Sequence, residues 1–434
     1  MSYSPDQYKS KAQEIFNQLM DKKQDGSVFK NGYYWRIGCV YDTLLDYMQY
    51  AVSQKKITTE IAKEHNKALL DIYSTKGAIW YDDYCWWIIA LLKSYPYHEL
   101  FSPADIERCR KIIKEAWEIV DKGKPGVDNS AGAAGAYDAC DKKVYGAVEP
   151  LYPGGTWQYD IFSYRATEPE GFQYDNPIDV TINGEYYEAR NLGPYQLSVM
   201  NGLNMVMTQR MSNYYDKNLD KNAILQYGFI KDWTSEDEVE KEKLLNPFGS
   251  GGEYGLIRER VGRYATLEKE VTMYNSAYQS WAGDQGLFIG GLYDYFLVKK
   301  DLYCMDLITK ILEGVKMEMT MSFSTTNGNN YNAIYHWSGK KDPVTGPPGP
   351  ISTDPADYSC GLGVFMRYLY HCCQDNSIRS SISSDPSYQE LIRQTADACF
   401  DDAYPRVLDQ TGKEDLMFRQ FNRLASLLAA IRIL

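Results

Sequence analysis

Two adjacent acids, Asp82 and Asp83, stand in the run Trp80-Tyr81-Asp82-Asp83-Tyr84-Cys85-Trp86-Trp87, just before the apolar stretch Ile88-Ile89-Ala90-Leu91-Leu92. Acids usually sit among polar neighbours. A pair collared by indole and phenol rings indicates a lined pocket in which one carboxyl keeps its proton near neutrality. Cleavage of a glycosidic bond needs that division of labour: one carboxyl protonates the leaving oxygen and a second attacks the anomeric carbon or activates water. Consecutive Cα atoms lie about 3.8 Å apart, so the pair suits the roughly 5 Å carboxyl separation of retaining enzymes better than the wider inverting gap. The plainer reading is a helix N-cap beside an acid that complements the helix dipole. The collar weighs against it. Trp86 and Trp87 diverge by about 100° around a helix, so one ring is expected to pack between helices and the other to face an opening.

The acid pair opens one of about twelve helices read from apolar spacing. The first runs from Pro5 to near Gly26, with Tyr8, Ala12, Ile15, Phe16 and Leu19 on one face, and the second follows Tyr33-Tyr34-Trp35. A third spans Thr58 to Tyr73, the fourth runs from Asp82 to Tyr95 ahead of Pro96, and the fifth opens at Ser102-Pro103. Others are expected over Tyr195–Tyr215, Leu219–Ile230, 284–299, 301–320, 355–374, 386–403 and 415–432. From Lys122 to Gly193 no helical period is sustained; Val180–Tyr187 reads as a β-hairpin around Asn183-Gly184. Lys231–Glu270 reads as a solvated excursion with a short hairpin over Leu256–Tyr264, and Asp342–Pro350 as a rigid loop. Six helical hairpins close into an (α/α)6 barrel, so the expected fold is all-α, one catalytic domain over residues 1–434 with inserted loops and short β-hairpins.

Bulk composition excludes several classes. A net charge of −12, with no lysine- or arginine-rich block, argues against nucleic acid as a partner. The nine cysteines show no C-x-x-C spacing, so neither a zinc site nor a disulfide framework is read. No apolar stretch is long enough to span a bilayer, and Met1–Lys11 is not signal-like. Tyrosine is abundant, at 38 residues, against 4 histidines; flat rings with a polar edge suit sugars, though they also fill cores.

Tyr81-Asp82-Asp83-Tyr84-Cys85-Trp86-Trp87 resembles the Y-D-D-x-x-W-W signature of glycoside hydrolase family 76, the endo-α-1,6-mannanases with an (α/α)6 barrel. Gly154-Gly155-Thr156-Trp157 is similar to the family's G-G-x-W loop, and Ser198–Leu203 to its helix with a small residue before asparagine. Gly283–Leu292 resembles Y-N-Q-G-x-x-x-G-x-L. The resemblance implies a retaining enzyme in which Asp82 is the nucleophile and Asp83 the general acid/base, acting on α-1,6-linked mannan. It also implies action outside the cytoplasm, without metal or organic cofactor. A monomer is expected.

Two departures mark a divergent member. Gly283-Asp284 stands where the family has Tyr-Asn, which removes an aromatic wall and adds a third acid, and the insertion near Val180–Tyr187 is large. Trp35, Trp80, Tyr81, Trp86, Trp157, Asn201, Asp284 and Gln285 are the expected sugar contacts, with Asp284 alternatively capping a helix from Gln285. His336-Trp337 is a candidate rim contact. The rival functions are a glycan-binding protein that has lost turnover and another (α/α)6 enzyme such as an unsaturated-uronyl hydrolase. A sugar epimerase is disfavoured by the scarcity of histidine.

Overall fold

Six helices are buried nearly all round, the signature of helices enclosed by others. In the computed structural model these are α2 (Tyr34–Ser53), α4 (Tyr81–Leu92), α6 (Ser198–Tyr214), α8 (Ala282–Lys299), α10 (Gly361–Cys372) and α13 (Leu416–Ile433). In α8 every residue from Ala282 to Tyr295 is buried. The structure describes residues 3–22, 29, 34–73, 81–121, 136–138, 143–145, 178–182, 185–193, 196–234, 245–247, 255–257, 260–266, 270–273, 279–325, 328–339, 359–404 and 415–434.

The buried helices pack in chain order, α2 on α4, α4 on α6, α6 on α8, α8 on α10 and α10 on α13, and α13 returns to α2. The ring closes. Each is preceded by a helix with a single apolar stripe: α1 (Pro5–Lys22), α3 (Thr59–Leu70), α5 (Pro103–Val120), α7 (Asp220–Thr234), α9 (Leu302–Glu318) and α12 (Pro386–Phe400). In α5 the buried Cys109, Ile112, Ile113, Ala116, Trp117 and Val120 follow the helical period. This is the expected (α/α)6 barrel, and the expected twelve helices are all present. Because outer and inner helices alternate, the six inner helices run parallel, with all their N-termini at one end.

Start signals act as the sequence implies. Thr58 accepts the Ile61 N–H at 3.3 Å and Ser102 accepts the Asp105 N–H at 3.1 Å, each capping the following helix. Where inner helices touch, glycine makes room. A Cβ on Gly286 of α8 would lie 2.6 Å from the Phe365 Cα of α10 and 2.9 Å from its N, both backbone atoms that cannot rotate away. Gly286→Ala is expected to destabilise the fold by about 1–3 kcal/mol, seen as a lower urea midpoint with unchanged slope; an unshifted midpoint would show that the two helices separate freely.

Differences from expectation lie in the excursions. The hairpin over Val180–Tyr187 forms as β3 (Ile178–Ile182) and β4 (Glu185–Gly193), with Val180 opposite Tyr187. It does not stand alone. Together with β1 (Ala136–Asp138), β2 (Lys143–Tyr145), β5 (Gln196–Leu197), β8 (Arg260–Thr266) and β9 (Glu270–Met273) it makes a seven-stranded antiparallel sheet, with the path β2-β1-β4-β8-β5 and with β3 paired to β4 and β9 to β8 off it. Pairing of β4 with β8 joins the two excursions. The expected Leu256–Tyr264 hairpin is not formed: β7 (Gly255–Ile257) pairs with β6 (Leu245–Pro247) instead. Nor is that excursion wholly solvated, since Leu256 and Ile257 are buried and β7 packs on α8 and α9. A helix α11 (Asn376–Ser384) and the hairpin of β11 (Thr320–Ser324) with β12 (Asn330–Ile334) were not foreseen. Both are short and mostly polar, so no apolar period marks them. Residues 342–350 lie outside the described residues.

Candidate active site

The barrel's N-terminal end gathers the first turns of six helices and the strands that enter them: β5 runs directly into α6, and β10 (Gln279–Trp281) into α8. Asp82 and Asp83 occupy the first turn of α4, where unpaired N–H groups and the helix dipole favour acids. They point about 100° apart around the axis. Asp82 is half-buried, while Asp83 is only 3% exposed.

Two phenols lie close enough to Asp83 to feel its charge. Burial, and then the Asp83 charge, push the Tyr84 phenol above its usual range. Tyr34, in the first turn of α2, is pushed up by burial first, then by Tyr73, Tyr84 and Asp83. Its hydroxyl donates to the Tyr73 hydroxyl at 3.2 Å, and its carbonyl accepts the Trp87 indole N–H at 2.7 Å. Of these two tyrosines, Tyr84 belongs to the aromatic collar and Tyr34 to the Tyr33-Tyr34-Trp35 triplet at a helix start.

The expectation that one of Trp86 and Trp87 faces an opening fails. Trp87 packs on Tyr34, Tyr41 and Tyr73, and Trp86 is 2% exposed, its ring 6.0 Å from that of Trp35 and 5.6 Å from the Arg367 guanidinium. Every face of an inner helix is covered, so the divergence of the rings sends both into the core. Trp35, half-buried, bridges Trp86 and Phe418 of α13. Beside it the Arg36 guanidinium pairs with Asp415, the cap of α13, and lies 4.1 Å from the Phe418 ring centre. Tyr81 is buried at the start of α4. Trp80 and Trp157 lie outside the described residues.

Asn201 and Gln285 are also corrected. Asn201 is fully buried, and its Oδ1 accepts Gln226 Nε2 at 3.0 Å, tying α6 to the outer helix α7. Gln285 acts as a clamp. Its Oε1 accepts the Ile257 N–H at 2.9 Å, while its Nε2 donates to the Ile257 carbonyl at 2.8 Å and the Trp281 carbonyl at 3.1 Å. Both amide hydrogens are thereby used on backbone, leaving none for a sugar. Gln285→Leu would remove a side-chain partner from three buried backbone groups, and is expected to lower stability by about 2 kcal/mol or more in thermal melting; unchanged melting with lost glycan binding would restore it as a sugar contact.

Asp284 does not cap a helix from Gln285. The helix begins at Ala282, Trp281 is its cap residue, and Asp284 lies in the first turn, fully buried. The aromatic wall absent at position 283 is replaced from two residues earlier, since a Cβ on Gly283 would run into the Trp281 indole. His336 is near this wall: its carbonyl accepts the Ala282 N–H at 3.0 Å, and burial holds its imidazole down to about 4. Among the described residues no group of three or more His, Cys, Asp or Glu could hold a metal ion, and the eight described cysteines are buried and form no disulfide with one another.

The opposite half of the barrel carries charge that the sequence reading missed. Asp42 Oδ1 meets Lys93 Nζ at 2.5 Å and its Oδ2 meets Arg367 Nε at 3.0 Å; Lys93 also reaches Asp46 at 2.6 Å. Asp294 holds Arg210 at 2.7 Å and His371 at 2.6 Å. Charged residues inside helices that are otherwise apolar all round were the available signal, because such groups must be paired.

Neither a protein-family model nor a curated protein matches the sequence. Solved structures do. An inactive variant of the α-1,6-mannanase GH76A of Salegentibacter sp. HEL1_6, with two consecutive aspartates changed to asparagine and α-1,6-mannotriose bound, aligns with a TM-score of 0.53 at 11% identity, over 97% of this chain and 99% of that one. The fold is that of family 76 glycoside hydrolases. A family 76 enzyme from a bovine Bacteroides thetaiotaomicron strain aligns at 12% identity and TM-score 0.50, over 92% of this chain and 69% of its own. Dfg5 from Chaetomium thermophilum, in complex with glucosamine, aligns at 11% identity and TM-score 0.52, over 92% and 81%. In the family 76 fold of this chain, the adjacent aspartates open an inner helix. Among the described residues no helix is long and apolar enough to cross a membrane.

Proposed function

We propose that this chain is a divergent family 76 glycoside hydrolase that cuts α-1,6-linked mannan internally with retention. Asp82 is the nucleophile and Asp83 the acid and then the base. The observation that carries the reading is the acid pair in the first turn of α4, at the shared N-terminal end of the barrel, with Asp83 buried and near enough to Tyr34 and Tyr84 to raise both phenols. It is supported by a similarly folded α-1,6-mannanase whose inactive variant lacks two consecutive aspartates.

The half-buried Asp82 attacks the anomeric carbon while Asp83 gives its proton to the glycosidic oxygen, which departs with the distal chain. Asp83, now a carboxylate, takes a proton from water; that oxygen displaces Asp82 and restores both groups. Two inversions retain the anomeric configuration. The chemistry uses no metal or organic cofactor. A polymeric substrate that cannot enter a cell places this activity outside the cytoplasm, and one barrel carries the complete acid pair, consistent with a monomeric, single-domain enzyme.

Incubation with linear α-1,6-mannan is expected to release a ladder of oligosaccharides, and proton NMR of the nascent reducing ends should show the α-anomer first. Nascent β-anomer would sink retention, and release of mannose alone would sink internal cleavage. Binding with no release of reducing ends would identify a glycan-binding protein instead.

A further inference from the structure

Among the buried cysteines, two face each other. Cys39 of α2 and Cys360, the cap residue of α10, are both fully buried, and the Cys360 thiol hydrogen-bonds the Cys39 sulfur. Other thiols have partners of a different kind. Cys109 meets Ser94, Cys304 meets Tyr227, Cys399 meets Ser426, and Cys372 donates to the Ile289 carbonyl at 3.6 Å. Cys372 and Cys373 are consecutive at the end of α10, so their side chains point about 100° apart.

Helices α2 and α10 are not ring neighbours. Because α13 stands between them, the two sulfurs meet on the inner side of the ring, where α10 already reaches α2. Arg367 Nη1 donates to the Cys39 carbonyl at 2.7 Å and lies 3.9 Å from its Sγ, while Arg367 Nε meets Asp42 at 3.0 Å. The backbone around Cys360 is clamped too. Asn422 of α13 donates to the Ser359 carbonyl at 2.7 Å and accepts the Gly363 N–H at 2.8 Å, and a Cβ on Gly361 would run into the Trp281 Nε1. Burial alone would raise the Cys39 thiol, but Cys360 and Arg367 overcome it and hold the group below its usual range, which favours the thiolate that begins disulfide exchange. We propose that Cys39 and Cys360 are a disulfide pair that, once oxidised, staples α2 to α10 across the inside of the barrel. The step is exchange with a low-molecular-weight disulfide such as oxidised glutathione. The Cys39 thiolate attacks one donor sulfur, breaking the donor S–S bond and releasing the first donor thiolate. Cys360 then loses its proton, and its sulfur closes the bond to Cys39 as the second donor thiolate leaves. The protein gives up two electrons, and the donor departs as two thiols. Both sulfurs are sealed in the finished barrel, so exchange belongs to a stage before the ring is closed. The pairing stands whether or not the barrel cleaves mannan.

The test compares the unaltered protein folded in an oxidising bacterial periplasm with the same chain from a reducing cytosol. Denaturation in excess alkylating agent, followed by peptide mapping, should find Cys39 and Cys360 joined in the first preparation and alkylated in the second. The bond closes a loop of roughly 320 residues, and closure of a loop that long should raise the thermal midpoint by about 5 °C. Cys360→Ser should show one midpoint from both compartments; the mapping of the unaltered protein decides the matter even where this variant does not fold. Alkylation of both thiols in the periplasmic protein, or linkage of either to a different cysteine, would overturn the inference. So would a joined pair with an unchanged or lowered midpoint, since the bond would then hold nothing together.

Discussion

With Asp82 as the proposed nucleophile, Asp82→Asn should reduce release of reducing ends from α-1,6-mannan by on the order of 10⁴-fold, because it removes the carboxylate that forms the covalent intermediate. The substitution is isosteric, so thermal melting should hardly move. Asp83→Asn should behave differently, and the difference identifies the roles. On mannan the loss of acid assistance is worth about 10²–10⁴-fold. An aryl mannoside with an acidic phenol needs no such assistance to leave, so the first step survives. The second step still lacks its base. The expected record is a burst of phenol equal to the enzyme concentration, followed by a slow steady state. A burst from Asp82→Asn would reverse the assignment, and near-normal turnover by either variant would remove the pair from catalysis.

Arg367→Met should cost more stability than either Gly286→Ala or Gln285→Leu. It leaves Asp42, nearly fully buried, with Lys93 as its remaining ion-pair partner among the described residues, and stranding one member of a buried ion pair costs about 3–5 kcal/mol. The companion variant Arg367→Met with Asp42→Leu removes both charges and should recover much of the loss. If the double variant is the less stable of the two, the network contributes net attraction rather than mutual compensation. The same network sets an acid limit. Burial alone would raise the Asp42 carboxyl, but Arg367 and Lys93 overcome it and hold the group down at about 2; Arg210 and His371 do the same for Asp294. Both folded values lie below the ordinary 3.8, so the stabilisation is complete above about pH 4 and is lost as pH falls toward 2. Each carboxyl contributes on the order of 2 kcal/mol. The urea midpoint should fall across that window, and the fall should shrink in the double variant.

The barrel was legible because its grammar is local. Apolar spacing in α1 and α5, and the caps at Thr58 and Ser102, follow from the chain nearest them and needed no knowledge of neighbours. The place of Asp82 and Asp83 at a helix start was legible too, since it is set by consecutive residues. What could not be read depends on contacts far apart in sequence. Trp86 looked like a sugar platform because its burial is decided by Trp35 and Arg367, and Gln285 looked like a ligand because its partner, Ile257, lies in another excursion. Trp281 went unnoticed for the same reason: one of its two glycines, Gly361, is on another helix.

The ring of inner helices is completed by its last member, α13, which returns to α2 and meets it through the Arg36–Asp415 pair. Tyr8 on α1 likewise donates to Asp397 on α12, 389 residues away. During synthesis, therefore, α1 and α2 leave the ribosome with the faces that meet α13 uncovered until nearly the entire polypeptide has emerged. Such long-range closure slows folding and prolongs exposure of sticky surface. Nascent-chain lengths ending before Leu416 should be protease-sensitive and clients of chaperones, with resistance acquired late and in one step.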